Sequence, residues 1–375
     1  MQNHHIKVTL VALALCFATV QVTNAAGPRG GGGGKPAPNP DIAYMSDDNT
    51  TDALSQAAVR GIETATGSDV SLMRSKAGRL YQAIAWSPDG KLMAWFEMGL
   101  GMVSTPVSIM VGAPKGKASA VYTAAPGDGK TQISTGFDGL AWGTVRCGSS
   151  VDSVLVFAGM NPDGIYGIRF VNGSPAGDPT MLMEWQSPPT NTAGVPPGTF
   201  AFSPLGQYLV FGGSGYDSSS YKYGLWYINM CTGLPATPAL LQSNIGGTWA
   251  EGAPIRSIDW SRGGGWLALS VTTGTDLPWR DLKIADVAYS ASDGTEPVEV
   301  VSTGSKVCTV NLDSDFTTAS SEHFPQWAPD DASIAFSQSS DAGRAMYLMG
   351  IDTNDCSHGN PTPIGSKWPR ALDWK

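Results

Sequence analysis

A short aromatic repeat constrains the fold of this chain more than any other feature. A Trp or Phe ends an apolar stretch, and in the best copies Ser-Pro-Asp-Gly or a variant of it follows. These aromatic residues, called anchors below, recur at intervals of 47 to 67 residues. Self-similarity at this period indicates a β-propeller or a solenoid. The anchors are Trp86, Trp142, Phe202, Trp260, Trp327 and Trp374.

Each copy of the repeat predicts two strands joined by a tight turn. In Ser87–Gly90, Pro and Asp suit the bend, and Gly suits a positive φ. Short β-rich runs such as 92–97 and 208–213 follow the turns, and such runs indicate buried strands. Two weaker strand signals follow in several copies. Four strands per copy predict one blade of a propeller.

The two ends of the chain each carry half of a blade. The segment 42–46 resembles a second strand without a first, and 370–374 resembles a first strand without a second. We therefore predict that these two strands pair within one blade. The resulting all-β fold is a closed ring of six four-stranded blades. Closure removes the unpaired sheet edges that an open ring would leave.

The best copies, at 86–96 and 324–336, resemble the WD40-like (PD40) repeats of TolB-like six-bladed propellers, of the exported bacterial type. The copy at Trp142 lacks the turn motif, and Arg262 replaces Pro after Trp260. The resemblance implies one propeller domain over residues 41–375. It leaves the function open, because such propellers serve as periplasmic scaffolds, peptidase gates and lyases.

The N-terminal segment is typical of an exported protein. Residues 1–26 show the order of a signal peptide: Lys7, an apolar run at 8–20, then small residues. Residues 27–40 are rich in Gly and Pro, which predicts a tether. We expect a periplasmic or secreted protein. The apolar run is too short for a membrane span, so we expect no transmembrane segment.

Charge and cysteine content limit the classes of partner and the kind of cellular compartment that we expect for this protein. A net charge of −9, with 15% charged residues, argues against a nucleic-acid partner and against a basic face for anionic lipid. Four cysteines follow the signal peptide, and in an oxidising compartment they predict two disulfides with three possible pairings. Four free thiols are the alternative. The cysteines are Cys147, Cys231, Cys308 and Cys356.

The sequence carries few residues suited to catalysis. Only His323 and His358 follow the signal peptide, which excludes a metal site with several His ligands. The closest approach to a nucleophile motif, at 212–216, departs from G-x-S-x-G at Tyr216. We predict no catalytic residue, no metal and no cofactor.

The position four residues before each anchor is mostly polar, whereas the position two before is apolar. Strand alternation places both on one face, so we expect the polar set to emerge at the mouth of the central channel. Arg256, His323 and Arg370 would form a positive patch suited to carboxylate or phosphate. Pairing with Glu251 or Glu322 is the alternative. Gln82 and Asp138 occupy the same position in other blades.

Aromatic residues and one further Arg lie in predicted loops at the same face: Tyr216, Trp249, Trp279 and Arg280. Such residues are enriched at interaction surfaces, although packing within the loops would explain them equally well. We expect a monomeric, non-catalytic propeller that binds a protein, a peptide or an anionic envelope glycan at the channel mouth. The alternative is a lyase or hydrolase that acts there on an anionic saccharide.

Overall fold

A computed structural model of the chain describes residues 40–47, 57–73, 76, 78–99, 105–135, 139–185, 198–217, 220–243, 245, 254–272, 280–291, 299–310, 312, 321–340, 343–365 and 368–375. The chain divides into Met1–Ala37 and Pro38–Lys375, and all described residues belong to the second unit. Strands, turns and irregular segments account for these ranges. They contain no helix long and apolar enough to cross a membrane.

The first three sheets, called blades 1 to 3, are antiparallel meanders formed in chain order. Blade 2 has two additional short strands, Gln132–Ile133 and Ser174–Pro175. Given from the innermost strand outward, blade 1 is Arg79–Trp86, Met93–Gly99, Val107–Gly112 and Ala118–Ala124; blade 2 is Leu140–Cys147, Ser150–Met160, Gly164–Val171 and Thr180–Glu184; blade 3 is Phe200–Phe202, Tyr208–Asp217, Ser220–Asn229 and Ala239–Ser243.

The remaining three sheets are blades 4 to 6, and blade 6 combines both ends of the chain. Blade 4 is Ile255–Trp260, Trp266–Thr272, Arg280–Ala291 and Glu299–Thr309; blade 5 is Ser321–Trp327, Ser333–Ser340, Gly343–Asp352 and Thr362–Pro363, with the short strand Ser357–His358; blade 6 is Trp368–Trp374, Ile42–Asp47, Ala57–Glu63 and Ser68–Met73.

The innermost strands form a closed ring. Each contacts the innermost strands of the two adjacent blades, including blade 6 against blades 5 and 1. The ends of the chain are joined by an antiparallel ladder in which Ile42 faces Trp374 and Met45 faces Ala371. The chain is therefore a six-bladed β-propeller, and the predicted closure by the two chain ends is confirmed.

The hydrophobic core lies between the blades. One cluster of buried side chains fills each of the six interfaces between adjacent blades. Trp86, Trp142, Trp260 and Trp327 are buried in four of them, where a large ring removes much apolar area from water. Phe202 and Trp374 are only half-buried, and both also line the cavity described below.

Two disulfides join adjacent blades. Cys147 of blade 2 is bonded to Cys231 beside blade 3, across 84 residues of chain. Cys308 of blade 4 is bonded to Cys356 beside blade 5, across 48 residues. Of the three pairings that the sequence allowed, this one fastens two interfaces between blades rather than the interior of any blade.

One predicted loop is part of a long hairpin. The sequence predicts that Tyr216 lies in a loop, but it lies in the strand Tyr208–Asp217, which pairs with Ser220–Asn229, and Tyr216 faces Tyr221 in this ladder. The loop placement of Tyr216 is therefore wrong. Alternating Tyr residues have high β-propensity and support a ladder that extends beyond the rest of the blade.

Candidate functional site

A cavity of about 370 Å³ lies on the channel axis, at the end of the innermost strands where the anchors are found. All six innermost strands line it. The residue directly before each anchor contributes to its wall, and these six residues divide the wall into two halves. Blades 1 to 3 supply Ala85, Ala141 and Ala201, whereas blades 4 to 6 supply Asp259, Gln326 and Asp373.

Asp259 and Asp373 are held by the next blade in the ring. Asp259 Oδ2 accepts a hydrogen bond from the backbone N–H of Trp327 at 2.6 Å. Asp373 Oδ2 accepts one from the backbone N–H of Trp86. Each carboxyl group thus connects its blade to the following anchor and also faces the cavity.

Burial changes the chemistry of these two carboxyl groups. It raises the pKa of Asp259 to about 7, against the opposing effect of the N–H groups of Trp327 and Trp260. Burial also raises the pKa of Asp373 to about 7, and the negative charge of Asp259 adds to the rise. Near neutral pH, the cavity therefore offers both a proton donor and a proton acceptor.

The cavity opens at the anchor end through a second space of about 470 Å³. Arg262 and Lys375 line this opening together with Phe202 and Trp374. The Lys375 ammonium lies 4.7 Å from the centre of the Trp86 ring, a cation–π contact. Two cations thus border an opening that leads to two carboxyl groups.

At the opposite end of the innermost strands, three arginines from blades 4 and 5 follow one another. They are Arg256, Arg280 and Arg344, and we call them the arginine row. Arg256 Nε donates to Thr272 Oγ1 at 3.1 Å, and Thr272 faces the first residue of the next strand, Arg280. An Arg280 guanidinium nitrogen donates to His323 Nδ1 at 2.7 Å. His323 Nε2 lies 2.9 Å from Ser339 Oγ, and Ser339 faces Arg344, which completes the row.

His323 is neutral in this arrangement. Its Nδ1 accepts from Arg280, so the ring proton is on Nε2 and is donated to Ser339. Burial, with the charges of Arg280 and Arg344, lowers the pKa of His323 to about 3. The expectation that His323 adds positive charge to the patch is therefore wrong at physiological pH. His323 instead fixes the Arg280 guanidinium.

β-Bulges alter the predicted faces of the innermost strands. The ladders skip Ala83 in blade 1, Arg256 in blade 4, and Phe324 with Pro325 in blade 5. Ala83 and Phe324 have φ of 50° and 53°. A bulge adds a residue to one strand, so the alternation used to place the position four before the anchor does not hold there. Arg256 is consequently exposed.

The other candidates from the sequence are distributed as follows. Gln82 is half-buried, and its Oε1 has no hydrogen-bond partner among the described residues. Arg280 begins a strand of blade 4 instead of lying in a loop. Asp138, Trp249 and Trp279 lie outside the described residues, as do the side chains of Tyr216 and Arg370.

Several residues of these sites were not among the sequence candidates. Thr272, Ser339 and Arg344 complete the arginine row, and Asp259 and Asp373 line the cavity. The sequence does contain a pattern that points to the two Asp residues. The position directly before the anchor is Ala in the first three copies and Asp, Gln and Asp in the last three.

A closed ring of six four-stranded blades around a channel defines the class of this protein as a β-propeller, and its fold is TolB-like. No protein-family model matches the sequence, and no curated protein matches it. Similarity is seen to solved structures alone, and at their low sequence identities it concerns the fold.

TolB from Acinetobacter baumannii superposes with a TM-score of 0.51 at 13% identity; the match covers 88% of this chain and 66% of that one, just under two thirds. A TolB-related structure from Agrobacterium tumefaciens gives 0.47 at 13% identity, covering 89% and 93%. A nidogen/laminin complex gives 0.50 at 7% identity, covering 88% and 96%.

Proposed function

We propose that this protein is a non-catalytic binding propeller that holds the carboxylates of a protein, a peptide or an envelope glycan at the arginine row. The observation that carries the proposal is the continuous series from Arg256 through Arg280 and His323 to Arg344. Arg280 is oriented by a neutral acceptor, His323 Nδ1. Guanidinium groups bind carboxylates in a bidentate manner.

The charge of Arg256 supports the same proposal. Its Nε donates to a neutral hydroxyl, and no described carboxylate lies within ion-pair distance of it. The alternative in which Glu322 neutralises Arg256 is thus not favoured. Glu322 is buried, and its backbone carbonyl accepts from Ser270 Oγ at 2.6 Å.

We place this activity outside the cytoplasm, as a monomer in the periplasm or as a secreted protein. The signal-like order of residues 1–26 supports export. The two disulfides between blades support an oxidising compartment, because such bonds are rare in the cytosol. Residues 27–40 act as a tether in this proposal.

Calorimetric titration with trigalacturonate, and with an acidic peptide in free-acid and amide forms, tests the function. We expect binding that weakens with salt, since exposed charges are screened. Arg256→Ala and Arg280→Ala should each weaken binding about tenfold, the effect of losing a charge-assisted contact. Arg169→Ala, which removes an exposed Arg of blade 2 paired with Asp152, is the matched control and should change nothing.

Equal affinities of the wild type and the arginine-row variants would refute this function. A neutral trisaccharide such as maltotriose should not bind. Because the pKa of His323 is about 3, affinity should not rise as the pH falls from 8 to 5.

A specific observation favours a second function, an enzyme that acts on an anionic saccharide in the channel. Asp259 and Asp373 line one cavity, and both have a pKa of about 7, which suits a general acid and a general base at neutral pH. Arg262 and Lys375 at the opening would hold the saccharide carboxylates. Hydrolysis would use one Asp to protonate the leaving oxygen and the other to deprotonate water.

This second function predicts turnover of polygalacturonate or a similar uronate polymer. Reducing ends would report hydrolysis, and the absorbance of unsaturated uronate would report elimination. Asp259→Asn and Asp373→Asn should each abolish turnover while leaving trigalacturonate binding at the arginine row intact. Absence of turnover across a panel of uronate polymers would refute this second function, and the binding function would be the one that remains.

A further inference from the structure

We propose that a groove between blades 6 and 1, rimmed by lysines, binds a phosphate-bearing anion. The groove has a volume of about 550 Å³. It lies where the ring is closed, and it shares no lining residue with the channel cavity. The proposal is independent of the function assigned to the arginine row.

The floor of the groove is the interface between the closing blade and blade 1. Leu72 comes from the outermost strand of blade 6, and Tyr81, Trp95 and Met110 come from one face of blade 1. All four are buried. Trp95 Nε1 has no hydrogen-bond partner among the described residues, so an unused N–H donor belongs to this floor. The floor is therefore buried and apolar, and it includes one N–H donor without a partner among the described residues.

The turn between the third and fourth strands of blade 1 places two lysines beside this floor. Lys115 has a φ of 60°, in the left-handed region that Lys seldom adopts. Its backbone N–H donates to Leu72 O at 2.9 Å, across the interface between the blades. This bond fixes the turn to blade 6, and Lys115 and Lys117 both line the groove as a result.

Positive charge is in excess around the groove. Lys76 and Arg79 share the buried Glu97, with N···O distances of 3.7 and 3.6 Å. Lys115 and Lys117 have no ion pair with any described carboxylate. The three lysines that line the groove, with Arg79 beside Glu97, thus outnumber the one carboxylate of the lining, in a chain whose net charge is −9. An anion would relieve the mutual repulsion of the lysines.

The type of cation indicates the type of anion. Three of the four cations are lysines, whose compact ammonium groups act as point charges with three donors each. Lysine binds phosphate as a point charge, so three ammonium groups suit the compact, doubly charged phosphate group. The volume is sufficient for a phosphate ester with a small polar body. Such a group could belong to a soluble ester or to a lipid head group.

Glycerol phosphate and vesicles are the probes that test the groove. The mature protein is titrated calorimetrically with glycerol phosphate, and with glycerol as the uncharged control. It is also sedimented with phosphatidylglycerol vesicles and with phosphatidylcholine vesicles. Binding to glycerol phosphate assigns a soluble ester, and binding to phosphatidylglycerol vesicles alone assigns a lipid head group. Binding to neither probe would overturn the proposal.

Matched variants separate the groove from the rest of the surface. The double variant Lys115→Gly, Lys117→Gln removes both charges, and Gly accepts the left-handed φ without strain, so the fold should be kept. We expect binding to weaken about tenfold from the loss of two charge-assisted contacts. Lys91→Gln, Lys130→Gln removes two exposed lysines of other turns and should have no effect.

Arg256→Ala should also leave glycerol phosphate binding unchanged, which distinguishes a failure of the groove from a failure of the arginine row. Equal binding by the wild type and by Lys115→Gly, Lys117→Gln, with the melting temperature of the variant unchanged, would overturn the assignment to this groove.

Discussion

Asp373, in the last strand of the chain, accepts a hydrogen bond from the backbone N–H of Trp86, the anchor of blade 1. Asp259 makes the same contact with Trp327, from blade 4 to blade 5. In both cases, the acceptor directly precedes one anchor and the donor is the next anchor. The position that lines the channel therefore also connects adjacent blades, and at Asp373 it secures the closure of the ring.

Deleting residues 370–375 should abolish cooperative unfolding. The deletion removes most of the ladder with Ile42–Asp47 and leaves one edge of that strand unpaired. Circular dichroism during thermal unfolding would show a broad transition or none. Deleting Lys375 alone is the control and should retain a sharp transition. A truncated protein that melts like the full-length chain would contradict closure by this strand.

Asp373→Asn should make stability less dependent on pH. In the folded protein the pKa of Asp373 is about 7, well above its unfolded value, so its contribution to stability is complete at low pH. That contribution is lost as the pH rises from about 4 through 7. Asn retains the acceptor for Trp86 and does not titrate. Between pH 5 and 8, the free energy of unfolding of the variant should therefore fall by on the order of 2 kcal/mol less than that of the wild type.

Urea unfolding at several pH values measures this difference, and Asp259→Asn should behave alike. Asp178→Asn, at an exposed position of blade 2, is the control. Parallel stability curves for Asp373→Asn and the wild type would show that the carboxyl group is not buried as described.

His323→Gln should also make stability less dependent on pH, but here the affected loss of stability occurs as the pH falls, opposite to that at Asp373. The folded pKa of His323 is about 3, below its unfolded value, so its contribution is present above pH 6.5 and is lost as the pH falls toward 3. As the pH falls from 7 to 4.5, the free energy of unfolding of the variant should decrease by on the order of 2 kcal/mol less than that of the wild type. His358→Gln serves as the control in the same unfolding series. Equal acid sensitivity of His323→Gln and the wild type would exclude a neutral His323.

Glu299→Gln should destabilise the protein by about 3 kcal/mol, the range for breaking a buried charged network. The Glu299 carboxylate is buried and accepts from Leu205 N at 2.5 Å, Gln207 N at 2.9 Å, Tyr289 OH at 3.1 Å, and Ser203 Oγ. The amide of Gln would direct N–H groups at some of these donors. Denaturant midpoints would report the loss, with the exposed Glu184→Gln as control. An unchanged midpoint would show that the turn of blade 3 does not depend on this carboxylate.

Replacing either disulfide by two Ser residues should lower stability by about 4 kcal/mol, the loop-entropy value for bridges that span 84 and 48 residues. Melting curves with and without a phosphine reductant measure the effect. The wild type should lose stability on reduction, and the variant without both bridges should not respond. A wild type that melts alike under both conditions would contradict these bridges.

The sequence by itself determined the architecture of this protein. Turn chemistry and strand periodicity are local, so each copy of the repeat specifies a blade without reference to the others. The two half-blades at 42–46 and 370–374 then specified closure, because only their pairing leaves no open edge. The closed ring of six blades follows from these two local signals.

Only the tertiary structure decided which side chains meet. Bulges at Ala83, Arg256 and Phe324 change the alternation that a sequence argument must assume. The disulfide pairing depended on which blade ends are adjacent. Lys76 and Lys117 lie 41 positions apart and share a groove only because a turn of blade 1 is bonded to blade 6. Such contacts arise from packing between distant segments, which no local pattern encodes.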